Sequence, residues 1–180
     1  RLQNADPILG VDMSSTGEVG CLGDDYNEAL LNAMMATGYK IPSKDKAILI
    51  SSGEVKSKVD LLGAARQLFK AGYKLYGTEG TAKFLNENGV ATTTVLWPDE
   101  QPDNKLNVMN LIASHTFDLI INIPKNHTTR ELTNGFKIRR GAIDHNIPLI
   151  TNSRLARAFI EAFCNVSLQD VSIKSWQDYE

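Results

Sequence analysis

The stretch Tyr73-Lys74-Leu75-Tyr76-Gly77-Thr78-Glu79-Gly80-Thr81-Ala82-Lys83-Phe84-Leu85 decides how the rest of the chain is read. Tyr73 to Gly77 is short and mostly apolar, as a buried strand is. No spacer follows it. Thr81 to Asn88 reads as a short helix, and Gly89 after it suits a left-handed C-cap. A strand that runs through Gly-Thr-Glu-Gly-Thr directly into a helix is one step of an alternating β-α chain.

The alternation continues on both sides. Upstream, Ala47 to Ser51 reads as a first strand, and a helix carrying Leu61, Ala65, Leu68 and Phe69 ends at Gly72. Downstream, Thr93 to Leu96 is a third strand. A loop with Pro98 and Pro102 leads to a helix with Val108, Leu111 and Ile112. Leu119 to Ile123 is a fourth strand, apolar apart from Asn122. A long polar loop is expected from Pro124 to about Asn134, then a helix around Lys137 to His145. Pro148 to Thr151 is a fifth strand, and Leu155, Phe159, Ile160 and Phe163 mark the last clear helix. Short apolar strands alternating with helices predict an α/β fold with a parallel sheet covered on both faces. Right-handed crossovers make it a three-layer α/β/α sandwich on a five-stranded parallel sheet, Rossmann-like in type.

A boundary is expected between Gly38 and Lys46, where a glycine, a proline and several charges fall together. Before it, Asp6 to Gly23 shows no period. Asp24 or Asp25 then caps a helix with Tyr26, Ala29, Leu30, Ala33 and Met34, which Gly38 stops. One helix and a loop bury no core, so this part is expected to pack on the next domain or on upstream sequence. Together with Arg1 in first place, this reads as a fragment of a longer protein.

Composition narrows the partners. The chain has 180 residues, 42% hydrophobic and 22% charged, with formal net charge −2 and no basic run, so nothing favours nucleic acid. No stretch of about 18 apolar residues suggests a membrane span. Cys21 and Cys164 lie far apart and read as thiols in a reducing compartment.

In an open parallel sheet, ligands sit outside the carboxyl ends of the strands. Those ends present Ser51, Ser52 and Gly53; Thr78, Glu79, Gly80 and Thr81; Trp97; Asn122, Pro124 and Lys125; and Thr151 and Asn152. The Thr78–Thr81 turn is the most pointed of them. Its glycines let the backbone approach a ligand, and a helix start there offers free N–H groups and partial positive charge to an anion. The same turn also reads as an ordinary strand-to-helix turn with a threonine N-cap. Lys58 reaches the pocket from its helix start or is simply solvated. Trp97 forms a wall, stacks on a ligand, or merely packs. Asn122 needs partners if buried. Arg139 and Arg140 bind an anion or form a salt bridge along their helix. His115, His127 and His145 share no metal-ligand spacing and read as surface residues. No nucleophile-and-base pattern is present.

From Ala47 onward the chain resembles the methylglyoxal-synthase-like domain. Besides the opening stretch, the resemblance is carried by Asp118-Leu119-Ile120-Ile121-Asn122, by Ile138-Arg139-Arg140-Gly141-Ala142 and by Ile147-Pro148-Leu149-Ile150-Thr151-Asn152. That fold serves methylglyoxal synthase, the cyclohydrolase half of a purine-synthesis enzyme, and the C-terminal domain of carbamoyl-phosphate synthase. The segment Met13-Ser14-Ser15-Thr16-Gly17-Glu18-Val19 looks like the end of the second ATP-grasp unit of the last family's large chain. The resemblance therefore implies an ATP-grasp tail and linker over residues 1–40 and a regulatory domain over residues 41–180.

It implies an allosteric effector site and no catalytic residue in this fragment. By position, the effector would meet Thr78, Gly80 and Thr81, with Ser52 and Lys58 as in nucleotide-regulated bacterial enzymes. Trp97 stands where those enzymes have a lysine and is similar to the ammonia-dependent type, whose effector is N-acetylglutamate. Asn122 and Asn134 also match that type, which has an asparagine where this chain has Lys125. The implied effector is a small anion of the nucleotide, phosphoribosyl pyrophosphate or N-acetylglutamate class. The implied parent ligase makes carbamoyl phosphate from bicarbonate, glutamine or ammonia, and ATP, for pyrimidine and arginine biosynthesis. No cofactor is expected in this fragment; ATP and Mg2+, with K+, would bind upstream domains. Further implied partners are those domains, a glutaminase and a second copy. The compartment would be cytoplasmic, or the mitochondrial matrix for the urea-cycle type. A lyase of the methylglyoxal synthase type and a non-binding oligomerisation module are the alternatives. The first is disfavoured because Trp97-Pro98-Asp99-Glu100-Gln101-Pro102-Asp103 replaces its glycine-rich, aspartate-bearing stretch, and Ile123-Pro124 replaces its Asp-Pro.

Overall fold

The computed structural model describes residues 19–124, 129–166, 171 and 174–179. In chain order the elements are α1 (Tyr26–Ala36), β1 (Ala47–Ser52), α2 (Val55–Lys70), β2 (Lys74–Thr78), α3 (Glu79–Glu87), β3 (Thr93–Val95), α4 (Val108–Ala113), β4 (Phe117–Ile123), α5 (Thr129–Asp144), β5 (Leu149–Ile150) and α6 (Ser153–Asn165), then a short 3-10 turn at Trp176–Tyr179.

The five strands form one sheet in the order β3-β2-β1-β4-β5. Every pairing is parallel. All six residues of β1 are buried, as a central strand covered on both faces should be. Successive side chains point to opposite faces. Ile48 and Ile50 join Leu75, Leu119 and Ile121 in one core with α1, α2 and α6. Ala47 and Leu49 join Ile120 and Val95 in a second core with α4 and α5. These are the three layers that the strand pattern predicts.

The strand order reverses between β1 and β4. From β1 the chain moves outward to β2 and β3, and it returns to β4 on the other flank. The crevice at such a reversal is where this class of sheet binds ligands. Ser51 pairs with Asn122 and Ser52 with Ile123 at that point.

Helix ends follow local chemistry. The Asp25 carboxylate accepts from Glu28 N–H at 2.9 Å, and the Glu28 carboxylate accepts from Asp24 N–H at 2.7 Å, a reciprocal cap on α1. Gly72 and Gly89 follow α2 and α3 with φ of 87° and 78°, the left-handed region that a side chain rarely enters. The expected linker is bound to the domain: Tyr39 donates its hydroxyl to Leu149 O at 2.6 Å, and Tyr73 donates to Pro42 O at 3.1 Å.

Several expectations need correction. Helix α3 begins at Glu79, two residues before Thr81, with Thr78 as N-cap. Helix α5 begins at Thr129, so most of the expected polar loop is helical. Phe69 is not core but 44% exposed, because Leu61, Ala64, Ala65 and Leu68 form the buried stripe of α2 and Phe69 flanks it. Leu31 and Met34 place α1 in the same core as the sheet, against α6. Leu31→Ala, at a fully buried position, is expected to cost about 2–5 kcal/mol in denaturant unfolding. The transition should remain single if α1 belongs to the same cooperative unit, and a separate early transition would show that it does not.

Candidate functional site

A cavity of about 260 Å³ opens at the carboxyl ends of β1, β2 and β4. Its floor is the end of β1, at Ser51, Ser52 and Gly53. One wall is the β2–α3 turn. The other is Trp97 together with the α5 residues Glu131, Leu132, Gly135 and Arg139. Of the residues singled out from sequence, Ser52, Lys58, Thr78, Gly80, Thr81, Trp97 and Asn122 all line this cavity.

The β2–α3 turn is tight because Gly77 allows it. A Cβ on Gly77 would stand 3.1 Å from Ala82 N and 3.2 Å from Thr92 Cγ2. The chain thus enters α3 at once and directs the helix N-terminus into the cavity. The first N–H groups of a helix have no acceptor within it. They carry its partial positive charge. Lys58 adds a full one: its Nζ lies 3.4 Å from where a Cβ on Gly80 would be.

Proton accounting separates the hydroxyls. Thr81 Oγ1 accepts from Ser52 N–H at 3.0 Å and donates to Ser52 O at 3.1 Å. Its proton is therefore committed, and the expectation that Thr81 offers a donor to a ligand is corrected: Thr81 ties α3 to the end of β1. The Thr78 hydroxyl makes no cap bond. It lies 3.2 Å from Ser51 Oγ and 3.5 Å from Thr81 Oγ1, and its one proton serves one of them at a time. Ser52 differs. The residue is 4% exposed, and its Oγ is buried with no hydrogen-bond partner.

At the back of the cavity, Arg139 is 2% exposed and donates from Nη1 to Asn122 Oδ1 at 2.7 Å. This satisfies the carbonyl side of the buried Asn122 amide. A Cβ at position 135 would stand 2.9 Å from the same Nη1, so Gly135 leaves the room that the guanidinium fills. Arg140, in contrast, pairs with Asp144 one turn on, as the salt-bridge reading expects. In the sequence Arg139 and Arg140 are adjacent and of one type, and nothing in their identity separates them. The signal that distinguishes them is the glycine four residues before Arg139, which clears space on its face of α5 and not on that of Arg140.

Asn134 lies beside the main cavity. With Trp97, Arg130 and Glu131 it lines an adjoining pocket of about 120 Å³, and it donates its amide to Asp99 Oδ1 at 2.7 Å. Arg130 holds the other side of that carboxylate, through Nε at 2.6 Å and Nη2 at 3.1 Å, and Nη2 also reaches Glu100 at 3.0 Å. The Arg130 guanidinium, with help from the Asn134 amide, lowers the Asp99 carboxyl to about 2. Lys125 and His127 lie outside the described residues. His115 and His145 have their rings 5.8 Å apart. His115 borders a pocket with Phe117 and Pro148 at the amino ends of β4 and β5, opposite the cavity. Among the described residues no group of three or more metal-binding side chains occurs, and no helix is long and apolar enough to cross a membrane.

The chain has recognisable relatives. Residues 60–151 match the family described as MGS-like domain. Multifunctional protein CAD of Squalus acanthias is 42% identical over 174 residues, covering 90% of this chain and 8% of that protein. The mitochondrial carbamoyl-phosphate synthase (ammonia) of Homo sapiens is 42% identical over 164 residues, covering 90% of this chain and 11% of that protein. The chain thus spans about a tenth or less of these relatives' length. A solved methylglyoxal synthase from Elizabethkingia anophelis is 15% identical with a TM-score of 0.47, covering 77% of this chain and 93% of that one.

The Asp99 clamp has a defined pH signature. Its folded-state carboxyl, at about 2, lies below the ordinary value of 3.8. The clamp's contribution is therefore present above pH 3.8 and is lost as pH falls through about 2. A carboxyl-carbon NMR titration should place the Asp99 midpoint near 2. Arg130→Ala should return it toward the ordinary carboxylate range. An unshifted midpoint in the unaltered chain would contradict the clamp.

Proposed function

The chain belongs to the family of MGS-like domains, and on that premise we propose that it is the effector-binding end of a carbamoyl-phosphate synthase. The effector is a small anion held between the first turn of α3 and Trp97. The observation that carries this reading is Ser52: a buried hydroxyl without a partner, on the floor of a polar cavity, beside a helix N-terminus and Lys58. A buried hydroxyl with no hydrogen bond costs free energy. A helix start is suited to phosphate or carboxylate. An anionic ligand supplies both missing partners in one place.

The cavity also supports the size class. About 260 Å³ falls just below the roughly 300–1,000 Å³ of drug-sized sites, so the ligand is small. Trp97 gives it an aromatic wall, and the Asn122–Arg139 pair a polar back. An apolar lining would have favoured a module that binds nothing.

The parent reaction is likewise a proposal. One relative is by name a carbamoyl-phosphate synthase, and the segment around Met13 to Val19 resembles that family's upstream unit. The parent would condense bicarbonate with an amino group from glutamine or ammonia at the expense of ATP, with Mg2+ and K+ in its upstream domains. The effector would act on those domains by preferring one of their states, and coupling of that kind is reciprocal. A cytoplasmic or mitochondrial-matrix setting would follow from which relative the parent resembles in full.

Calorimetric titration with N-acetylglutamate, UMP, UTP, IMP and phosphoribosyl pyrophosphate tests the site. Ser52→Ala is expected to weaken the ligand that binds by about tenfold, the loss of one hydrogen bond to a charged group. It should leave unfolding stability unchanged or slightly higher, since no internal bond is lost. Thr81→Val should do the reverse to stability, lowering it by about 1–3 kcal/mol by stranding the Ser52 backbone groups. Unchanged affinity in Ser52→Ala would count against this placement.

A further inference from the structure

We infer that Asp99, with Arg130 and Asn134, is a latch that fixes the Trp97 side of the cavity and so determines which anions fit, without touching them. This rests on the effector reading above and adds a positioning residue to it.

The two walls of the cavity are held in different ways. The α3 wall is fixed by buried hydrogen bonds between Thr81 and the Ser52 backbone, next to a central strand. The Trp97 wall is held within its own loop, where the buried Asn107 donates to Trp97 O at 3.0 Å and to Glu100 O at 2.6 Å, and not by the central strand. It follows β3, an edge strand of three residues paired only with β2. Opposite it lie the first turns of α5, which follow β4 without sheet pairing of their own.

What joins these two pieces is a pair of adjacent carboxylates, and Asp99 takes three of the four contacts from α5. Arg130 and Asn134 lie four residues apart and so share a face of α5. Both donate to Asp99: Nε and Nη2 from the guanidinium and Nδ2 from the amide. Glu100 adds a second contact to Arg130 at 3.0 Å, and its other oxygen accepts from Trp97 N–H at 3.0 Å. Trp97 is thus tied to Glu100, Glu100 to Arg130, and Arg130 to Asp99. The adjoining face of α5 carries Glu131, Leu132, Gly135 and Arg139 into the main cavity. Asp99 therefore sets how α5 is turned toward Trp97. One Asn134 N–H is committed to Asp99, so the latch also fixes the direction of the Asn134 amide.

The latch makes a distinction between ligands. Inorganic phosphate needs only the α3 turn and Ser52. N-acetylglutamate and UMP are long enough to meet Trp97 and α5 as well. Loosening the latch should spare the first and weaken the others.

The test uses the full chain with Trp176→Phe, which leaves Trp97 as the one tryptophan. In the ligand-free protein, Asp99→Ala should raise acrylamide quenching of Trp97, and the charge-swapped pair Asp99→Arg with Arg130→Asp should restore it. In titrations, Asp99→Ala should weaken N-acetylglutamate or UMP, whichever the unaltered chain binds, by about tenfold, the scale of a lost charge-assisted contact. Inorganic phosphate should bind as before. Unchanged quenching overturns the latch whether or not any ligand binds. An equal loss of phosphate affinity also overturns it, because it would show general disruption and not positioning. If the unaltered chain binds none of these anions, the effector reading fails, while the quenching result still decides the latch.

Discussion

Two hydrogen bonds between the Thr81 side chain and the backbone of Ser52 fix the geometry on which the site depends. They close the end of the central strand onto the first turn of α3. Without them the helix start would lose its tie to the central strand, and Ser52 would lose these partners for both of its backbone groups. With them, the helix N-terminus, Lys58 and the Ser52 hydroxyl meet in one small volume. The turn can be this short because Gly77 carries no side chain against Ala82 and Thr92. A backbone requirement in β2 thus becomes an electrostatic property of the cavity.

The rest of the fold serves that point. The sheet reverses its order between β1 and β4, which opens the crevice. Residues of β1 alternate between two cores, so the strand that carries Ser52 is held from both faces. On the far side, Gly135 yields space to Arg139, and Arg139 is steadied by Asn122. Lys58 and Arg139 are balanced by Glu79 and Glu131 around the same cavity. The attraction for an anion is therefore local, from the helix start and its neighbours. The whole chain carries a formal net charge of −2 and offers no general pull on anions.

Much of this was legible in the residues. The central strands were, because β1 and β4 are compact, mostly apolar runs between polar punctuation, and the strands' carboxyl ends already named Ser52, Thr78, Thr81, Trp97 and Asn122. The start of α5 was not. Thr129, Arg130, Glu131, Thr133 and Asn134 read as polar loop because the helix is held there by Asp99 across the chain, a contact with no local sequence signal. The division of labour among the hydroxyls was hidden for a similar reason. Thr81 and Ser52 are both plausible donors in sequence, and only their relative placement shows that Thr81 spends its proton on Ser52 O. Asn134 and Asp99 lie thirty-five residues apart, so their pairing could not be read from spacing. Lys125 falls outside the described residues, and its expected role stays an expectation.

Binding at the α3 turn is tested most directly by following backbone amide resonances during titration with N-acetylglutamate and with UMP. A ligand held by the helix start and Ser52 predicts saturable shifts centred on Ser52, Gly53, Glu79, Gly80 and Thr81, with smaller ones at Asn122. Shifts centred elsewhere, such as around His115 and Asn146 at the opposite end of the strands, would contradict the placement.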